Sequence, residues 1–155
     1  KKEIIDHFRY NMRSQIYAKS LPMPMVIGAL KRLELIKKHP EYKEKLWTIV
    51  NALQGGLRER GFNIGITKSC VTPVVLSGAV DEATHLNYDL REKYNLFCSI
   101  VCYPVIPKGI IILRIIPTAA HTLEDVQYTL ETFSAVKDKL TSGVYKTGAI
   151  KKVVI

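Results

Sequence analysis

Residues 96–125 read LFCSIVCYPVIPKGIIILRIIPTAAHTLED. Two β-branched runs stand out, Leu96 to Cys102 and Ile110 to Ile116, and both predict strands. Tyr103-Pro-Val-Ile-Pro-Lys-Gly109 between them predicts a connection. Thr122-x-x-Asp125 then forms a short capping-box pattern, which opens a helix with Leu123, Val126, Leu130, Phe133 and Leu140 on one side. Upstream, Val71 to Leu76 predicts a third strand, and Pro73 within it points to an edge position or a strand beginning. Between the first and second strands, Ala83, Leu86, Leu90 and Tyr94 recur at helical spacing over residues 81–94, with Asp81 and Glu82 in the first turn, where the helix dipole favours anions.

The part before residue 62 predicts only helices. Ile5, Phe8, Met12 and Ile16 predict an amphipathic helix over residues 3–17, which stops before Leu21-Pro22. Val26, Ile27, Leu30, Leu33 and Ile36 mark a second helix that ends by His39-Pro40. Pro40 suits the first turn of a third, whose stripe is Leu46, Ile49, Val50, Leu53 and Leu57 and whose stop is Gly61. Gly55-Gly56 in its last turns predicts either close packing or a break. The class is α+β: a small antiparallel sheet of about three strands with helices on one face, preceded by a helical N-terminal segment. The weakly patterned tail, 141–155, is expected to add at most a short edge strand at Ala149 to Ile155.

Composition fits a globular chain. The 155 residues are 47% hydrophobic and 24% charged, enough for one core without a disulfide scaffold. The longest apolar runs fall far short of the ~20 residues of a membrane span. Because the chain opens on Lys1 with no signal-like segment, it is expected to be cytoplasmic and to start inside a larger protein. Cys70, Cys98 and Cys102 lack zinc-type spacing. On a strand, Cys98 and Cys102 would lie about 13 Å apart at roughly 3.3 Å per residue, too far to share a metal or a disulfide. No metal site is expected.

The net charge is +9, and residues 1–60 hold 13 of the 23 basic side chains but only 6 of the 14 acidic ones. A basic module that binds nucleic acid or an anionic surface through Lys31, Arg32, Lys37, Lys38, Lys43 and Lys45 is therefore one reading. The interspersed Glu34, Glu41 and Glu44 favour the other, a solvated helix face. No RNA-binding signature accompanies the charge, and no nucleic-acid partner is expected.

Two residues invite a chemical role. Arg114 shares a strand face with Ile110, Ile112 and Ile116, so its charge must reach solvent, meet a carboxylate, or bind an anionic ligand. A planar fork of donors suits a substrate carboxylate. His121, just before the last helix, is either an acid–base group or a histidine that bonds backbone at the helix start. His7, His39 and His85 sit in separate segments, outside metal-ligand spacing. No serine-hydrolase elbow, zinc-protease motif or phosphate-binding glycine loop is present.

Tyr103 to Gly109, Leu113-Arg114-Ile115 and Pro117-Thr-Ala-Ala-His-Thr-Leu-Glu-Asp125 together resemble the C-terminal small domain of an alpha-oxoamine synthase. These are pyridoxal-phosphate enzymes of aminotransferase fold type I that condense an amino acid with an acyl-coenzyme A and lose carbon dioxide. The resemblance extends through Ala18-Lys-Ser-Leu-Pro22, Leu46-Trp47, Gly61-Phe62 and Val71-Thr-Pro-Val74, over essentially residues 1–140. In appearance it is nearest to bacterial serine palmitoyltransferases and 2-amino-3-ketobutyrate coenzyme A ligases, which implies serine or glycine as the amino acid.

The resemblance implies that Arg114 holds the amino-acid carboxylate, and that Ser20 approaches the cofactor phosphate of the neighbouring subunit in a homodimer. Some members carry an arginine where Cys102 stands. The Schiff-base lysine of the family would precede Lys1, so the chain is expected to be a piece of an enzyme, without catalytic residues of its own and with no cofactor bound to it alone. The implied layout is a linking helix and Pro-containing segment over 1–24, the small domain over 25–140, and a tail over 141–155. The missing large domain and a second subunit are the expected partners, facing Phe8, Met12, Ile16 and Tyr17.

Overall fold

The structure, a computed structural model, describes residues 1–146, and the strand expected at 149–155 lies outside the described residues. The chain divides into two compact units, Lys1–Pro40 and Glu41 onward.

The first unit is helical. Helix α1 spans Lys2–Asn11, a short α2 spans Arg13–Ile16, and α3 spans Met23–Lys38. The single helix expected over 3–17 is therefore broken, at Met12, which is extended at φ −80° and ψ 109°. Met12 N still closes α1 onto Phe8 O at 3.0 Å, and Met12 O starts a new turn by accepting from Gln15 N at 2.9 Å and Ile16 N at 3.0 Å; beside the break, the Asn11 side chain donates to the His7 carbonyl at 2.9 Å. None of the three helices buries a residue, although Ile5, Phe8, Ile16, Leu30 and Ile36 are large and apolar.

The second unit holds the core. It contains α4 (Pro40–Glu59), β1 (Thr72–Ser77), α5 (Val80–Glu92), β2 (Ser99–Val101), β3 (Ile110–Ile115) and α6 (Leu123–Thr141). The sheet order is β1-β3-β2, antiparallel throughout. Pro73, which has no N–H to give, sits accordingly on an edge strand. Strand β3 alternates: Ile111, Leu113 and Ile115 are buried against Leu53 and Leu57 of α4, Leu86 and Leu90 of α5, and Val126 and Phe133 of α6. The helices thus cover one face.

Strand β2 is shorter than the expected 96–102. Leu96 N donates to Leu90 O at 2.9 Å, closing the end of α5 through the left-handed Asn95, and Cys102 O accepts from Val105 N in a turn. The ladder itself takes up only Ser99–Val101.

The glycine pair in α4 marks close packing rather than a break. A Cβ at Gly56 would lie 2.3 Å from Leu130 Cδ1, whereas at Gly55 it would meet nothing within 4 Å. Gly61, at φ +70°, ends the helix as expected. Lys137 of α6 donates to the carbonyls of Arg60 and Gly61 at 3.3 and 3.2 Å, placing a cation at the negative end of α4. Thr122 caps α6: its Oγ1 accepts from Asp125 N at 3.2 Å, and Asp125 Oδ2 accepts from Thr122 N at 2.8 Å.

One buried carboxylate ties three segments together. Asp89 of α5 is 2% exposed and lies 2.7 Å from Lys93 and 3.2 Å from Lys139 of α6, while Tyr145 Oη donates to it at 3.1 Å. The Lys93 contact is an ion pair without hydrogen-bond alignment, which leaves Oδ1 without a directed donor. Burial alone pushes the carboxyl up, but Lys93, Lys139 and Tyr145 together outweigh it and hold Asp89 below its ordinary value. Tyr145, buried beside that anion, is shifted upward.

Candidate functional site

Arg114 projects from the sheet face opposite the core, because its neighbours Leu113 and Ile115 point inward. In register it stands between Pro73 on β1 and Ser99 on β2. Residues directly opposite share a face, so the row across the sheet is a proline ring, a guanidinium and a hydroxyl. Arg114 Nε donates to Ser99 Oγ at 2.9 Å. Half-buried Val75, Val101 and Ile112 surround this row on the same face. Among the described residues no carboxylate forms an ion pair with Arg114. The two terminal nitrogens of the fork therefore face outward from an apolar surround. That geometry suits a bidentate anion such as a carboxylate.

Ser20 lies exposed between α2 and α3 in the first unit, whereas Arg114 belongs to the second. Neither unit by itself brings the two together. His121 takes the helix-start arrangement: its Nδ1 accepts from Thr118 N at 2.9 Å and lies 3.0 Å from Thr118 Oγ1. The ring borders a cleft of about 430 Å³ with Ile49, Leu53, Phe97, Ile116 and Val126, and Arg114 is not in that wall. Three free cysteines are found, and among the described residues no group of His, Cys, Asp or Glu could hold a metal. Cys98 is buried, and burial pushes its thiol up to about 11. The basic face on α3 is neutralised in part: Glu34 pairs with Lys31 at 3.0 Å and Lys38 at 2.7 Å.

The hydroxyl of Ser99, which accepts from Arg114 Nε, is a contact that sequence reading missed. Its only trace in the sequence is a lone hydroxyl in the run Cys98 to Val101, and its meaning depends on the register that sets it opposite Arg114. A second cleft, of about 280 Å³, is bordered by Lys108, but this ammonium sits 4.9 Å from the Tyr103 ring centroid and the wall holds no carboxylate or histidine.

A sheet of order β1-β3-β2 with helices on one face and an outward arginine on the central strand defines a small α+β domain. No family model matches the sequence. Individual proteins do. The chain is 60% identical over 144 residues to a cysteate-C-fatty acyltransferase of Capnocytophaga ochracea, a match covering 93% of the chain and 34% of that protein. It is 31% identical over 140 residues to the 8-amino-7-oxononanoate synthase of Exiguobacterium sibiricum, covering 90% of the chain and 35% of the relative. Among solved structures, serine palmitoyltransferase from S. paucimobilis, with bound PLP, superposes with a TM-score of 0.74 at 28% identity over 88% of the chain and 34% of that structure. The chain spans about a third of the length of the curated relatives it matches. It belongs to the pyridoxal-phosphate-dependent alpha-oxoamine synthases, as a C-terminal domain of that family, and its relatives are acyltransferases. Among the described residues no helix is long and apolar enough to cross a membrane.

Proposed function

We propose that the complete protein containing this domain condenses an amino acid with an acyl-coenzyme A, with loss of carbon dioxide, and that Arg114 holds the amino-acid carboxylate. The supporting observation is the guanidinium itself, open at its terminal nitrogens on an apolar sheet face and without an internal carboxylate partner among the described residues. A carboxylate there gains a bidentate, charge-assisted contact, which fixes the orientation of the substrate. Pyridoxal phosphate, held by parts of the protein outside this chain, supplies the electron sink that the reaction needs. Serine and glycine are candidate substrates, and the relative at 60% identity adds cysteate as the favoured one, with a fatty acyl group as donor.

In the same reading, residues 1–24 link, 25–140 form the small domain and 141–155 form a tail. Helix α3, which buries nothing within the described chain, is completed by the large domain, and Ser20 approaches the cofactor phosphate across a homodimer. The protein is cytoplasmic, and the 155-residue chain alone does not catalyse. Exposed Phe8, Met12, Ile16 and Tyr17 make self-association of the isolated chain the expected outcome.

The test is Arg114→Ala in the complete protein, assayed by coenzyme A release with cysteate, serine and glycine in turn. The expected result is a large rise in the amino-acid KM for the true substrate. Unchanged KM and turnover for all three would remove Arg114 from the site. The rival reading, a basic binding module, requires tight RNA or vesicle binding with a steep salt dependence, and the Glu34 pairs on α3 count against it.

A further inference from the structure

We propose that Ser99 is a positioning residue for substrate binding: its hydroxyl holds Arg114 by the Nε–H so that the two terminal nitrogens are presented end-on to the amino-acid carboxylate. The inference rests on the carboxylate-binding reading of Arg114 and adds a residue that it does not include.

The geometry is specific. Arg114 has a register partner on each side, and only one of them can accept a hydrogen bond from it through a side chain: Pro73 offers a ring, Ser99 a hydroxyl. Their contact, Nε to Oγ at 2.9 Å, is the side-chain hydrogen bond formed by Arg114 among the described residues. A free arginine side chain spreads over many rotamers, and each hydrogen bond made in advance removes part of the entropy cost of binding. The choice of nitrogen matters too. With Nε engaged by Ser99, the side-on face of the fork is occupied and the end-on pair remains, so a carboxylate is received in one orientation. Ser99 also accepts without adding charge, which leaves the full positive charge of Arg114 for the substrate.

The experiment compares Ser99→Ala and Ser99→Thr in the complete protein, with Arg114→Ala alongside. Ser99→Ala should raise the amino-acid KM about 5- to 10-fold, the weakening expected from losing one charge-assisted hydrogen bond at a partly solvated site, while kcat and the acyl-coenzyme A KM stay within about twofold. Ser99→Thr keeps an acceptor at a position where β-branching is favoured and should restore the amino-acid KM. Ser99→Cys, close in size but a poor acceptor, should behave like alanine and covers the case in which the alanine variant folds badly. A second readout needs no turnover: in the 155-residue chain, the NMR signal of the Arg114 Nε–H should be slow to exchange, and should shift and exchange faster in Ser99→Ala but not in Ser99→Thr. An amino-acid KM unchanged in both Ser99→Ala and Ser99→Cys, with Arg114→Ala impaired, would overturn the positioning role and leave the Arg114 reading standing. An unmoved Nε–H signal would overturn the contact itself. Normal amino-acid binding by Arg114→Ala would remove the underlying reading.

Discussion

Gly55 and Gly56 are neighbours in α4, yet replacing each by alanine should change stability in opposite directions. At Gly55 the new methyl meets nothing within 4 Å, so the substitution gains the intrinsic helix preference of alanine over glycine, up to about 1 kcal/mol. At Gly56 the new Cβ would sit 2.3 Å from Leu130 Cδ1, 3.1 Å from Cδ2 and 3.3 Å from Cγ. Relaxed carbon contacts lie at about 3.5–4.0 Å, so the Leu130 isobutyl group must retreat by roughly 1 Å. Leu130 is 5% exposed and has no solvent to move into. Overpacking of this kind costs about 1–3 kcal/mol, which against the helix gain leaves a net loss of about 0–2 kcal/mol. Gly56→Ala should therefore be about 1–3 kcal/mol less stable than Gly55→Ala.

The comparison is informative because the two variants share composition and lie one residue apart, so their effects on the unfolded chain nearly cancel. Urea unfolding followed by fluorescence of Trp47, the single tryptophan and itself in α4, reads the difference as a shift in midpoint at constant slope. Leu130→Ala supplies the control. It lowers stability by itself by about 2–5 kcal/mol but removes the clash, so in that background the two glycine substitutions should become equivalent. Gly56→Ala as stable as Gly55→Ala, or a difference that persists without the Leu130 side chain, would refute the packing argument.

Acid should weaken the second unit through Asp89. Its folded-state pKa lies below the unfolded value, so its contribution is fully present above about pH 4 and is lost as pH falls through the folded pKa; Asp89→Asn should lower stability at pH 7 by about 2 kcal/mol, less than for a fully buried pair because Lys93 is exposed, and should flatten the acid limb of urea midpoints measured from pH 7 to 3. Among the thiols, Cys98 should react slowest with a disulfide reagent at pH 8, because a rise from 9.0 to about 11 removes roughly a hundredfold of its thiolate and burial blocks access, whereas the partly exposed Cys70 and Cys102 should react in an early phase. Thr122→Ala, which removes the cap of α6, should cost about 1 kcal/mol in thermal or urea unfolding, and Thr122→Ser should recover most of it.

The alternation of Ile110 to Ile116 and the stripes of α4 and α6 were legible in the sequence because period is a local property: it assigns Leu113 to one face and Arg114 to the other whatever lies across from them. Pro73 narrowed its strand to an edge or a strand beginning for the same reason, since a residue without an N–H is disfavoured in the middle of a central ladder wherever the chain takes it, and the topology made it an edge. The capping residues Thr122 and Asp125 act within four positions and were equally readable. The break at Met12 and the shortening of β2 were not, because they turn on which partner a backbone group selects: Gln15 N and Ile16 N both take Met12 O, and Leu96 N takes Leu90 O rather than a strand. The ambiguity at Gly55-Gly56 could be settled only by Leu130, seventy-four residues beyond Gly56 in the chain. The same holds for Asp89, whose partners Lys139 and Tyr145 lie 50 and 56 residues away. At the site, the sequence alone singled out Arg114, a charge placed inside an apolar run. That this charge is held by Ser99 and stays open at its terminal nitrogens depended on strand register, which is set by long-range pairing and not by the residues on either side of the arginine.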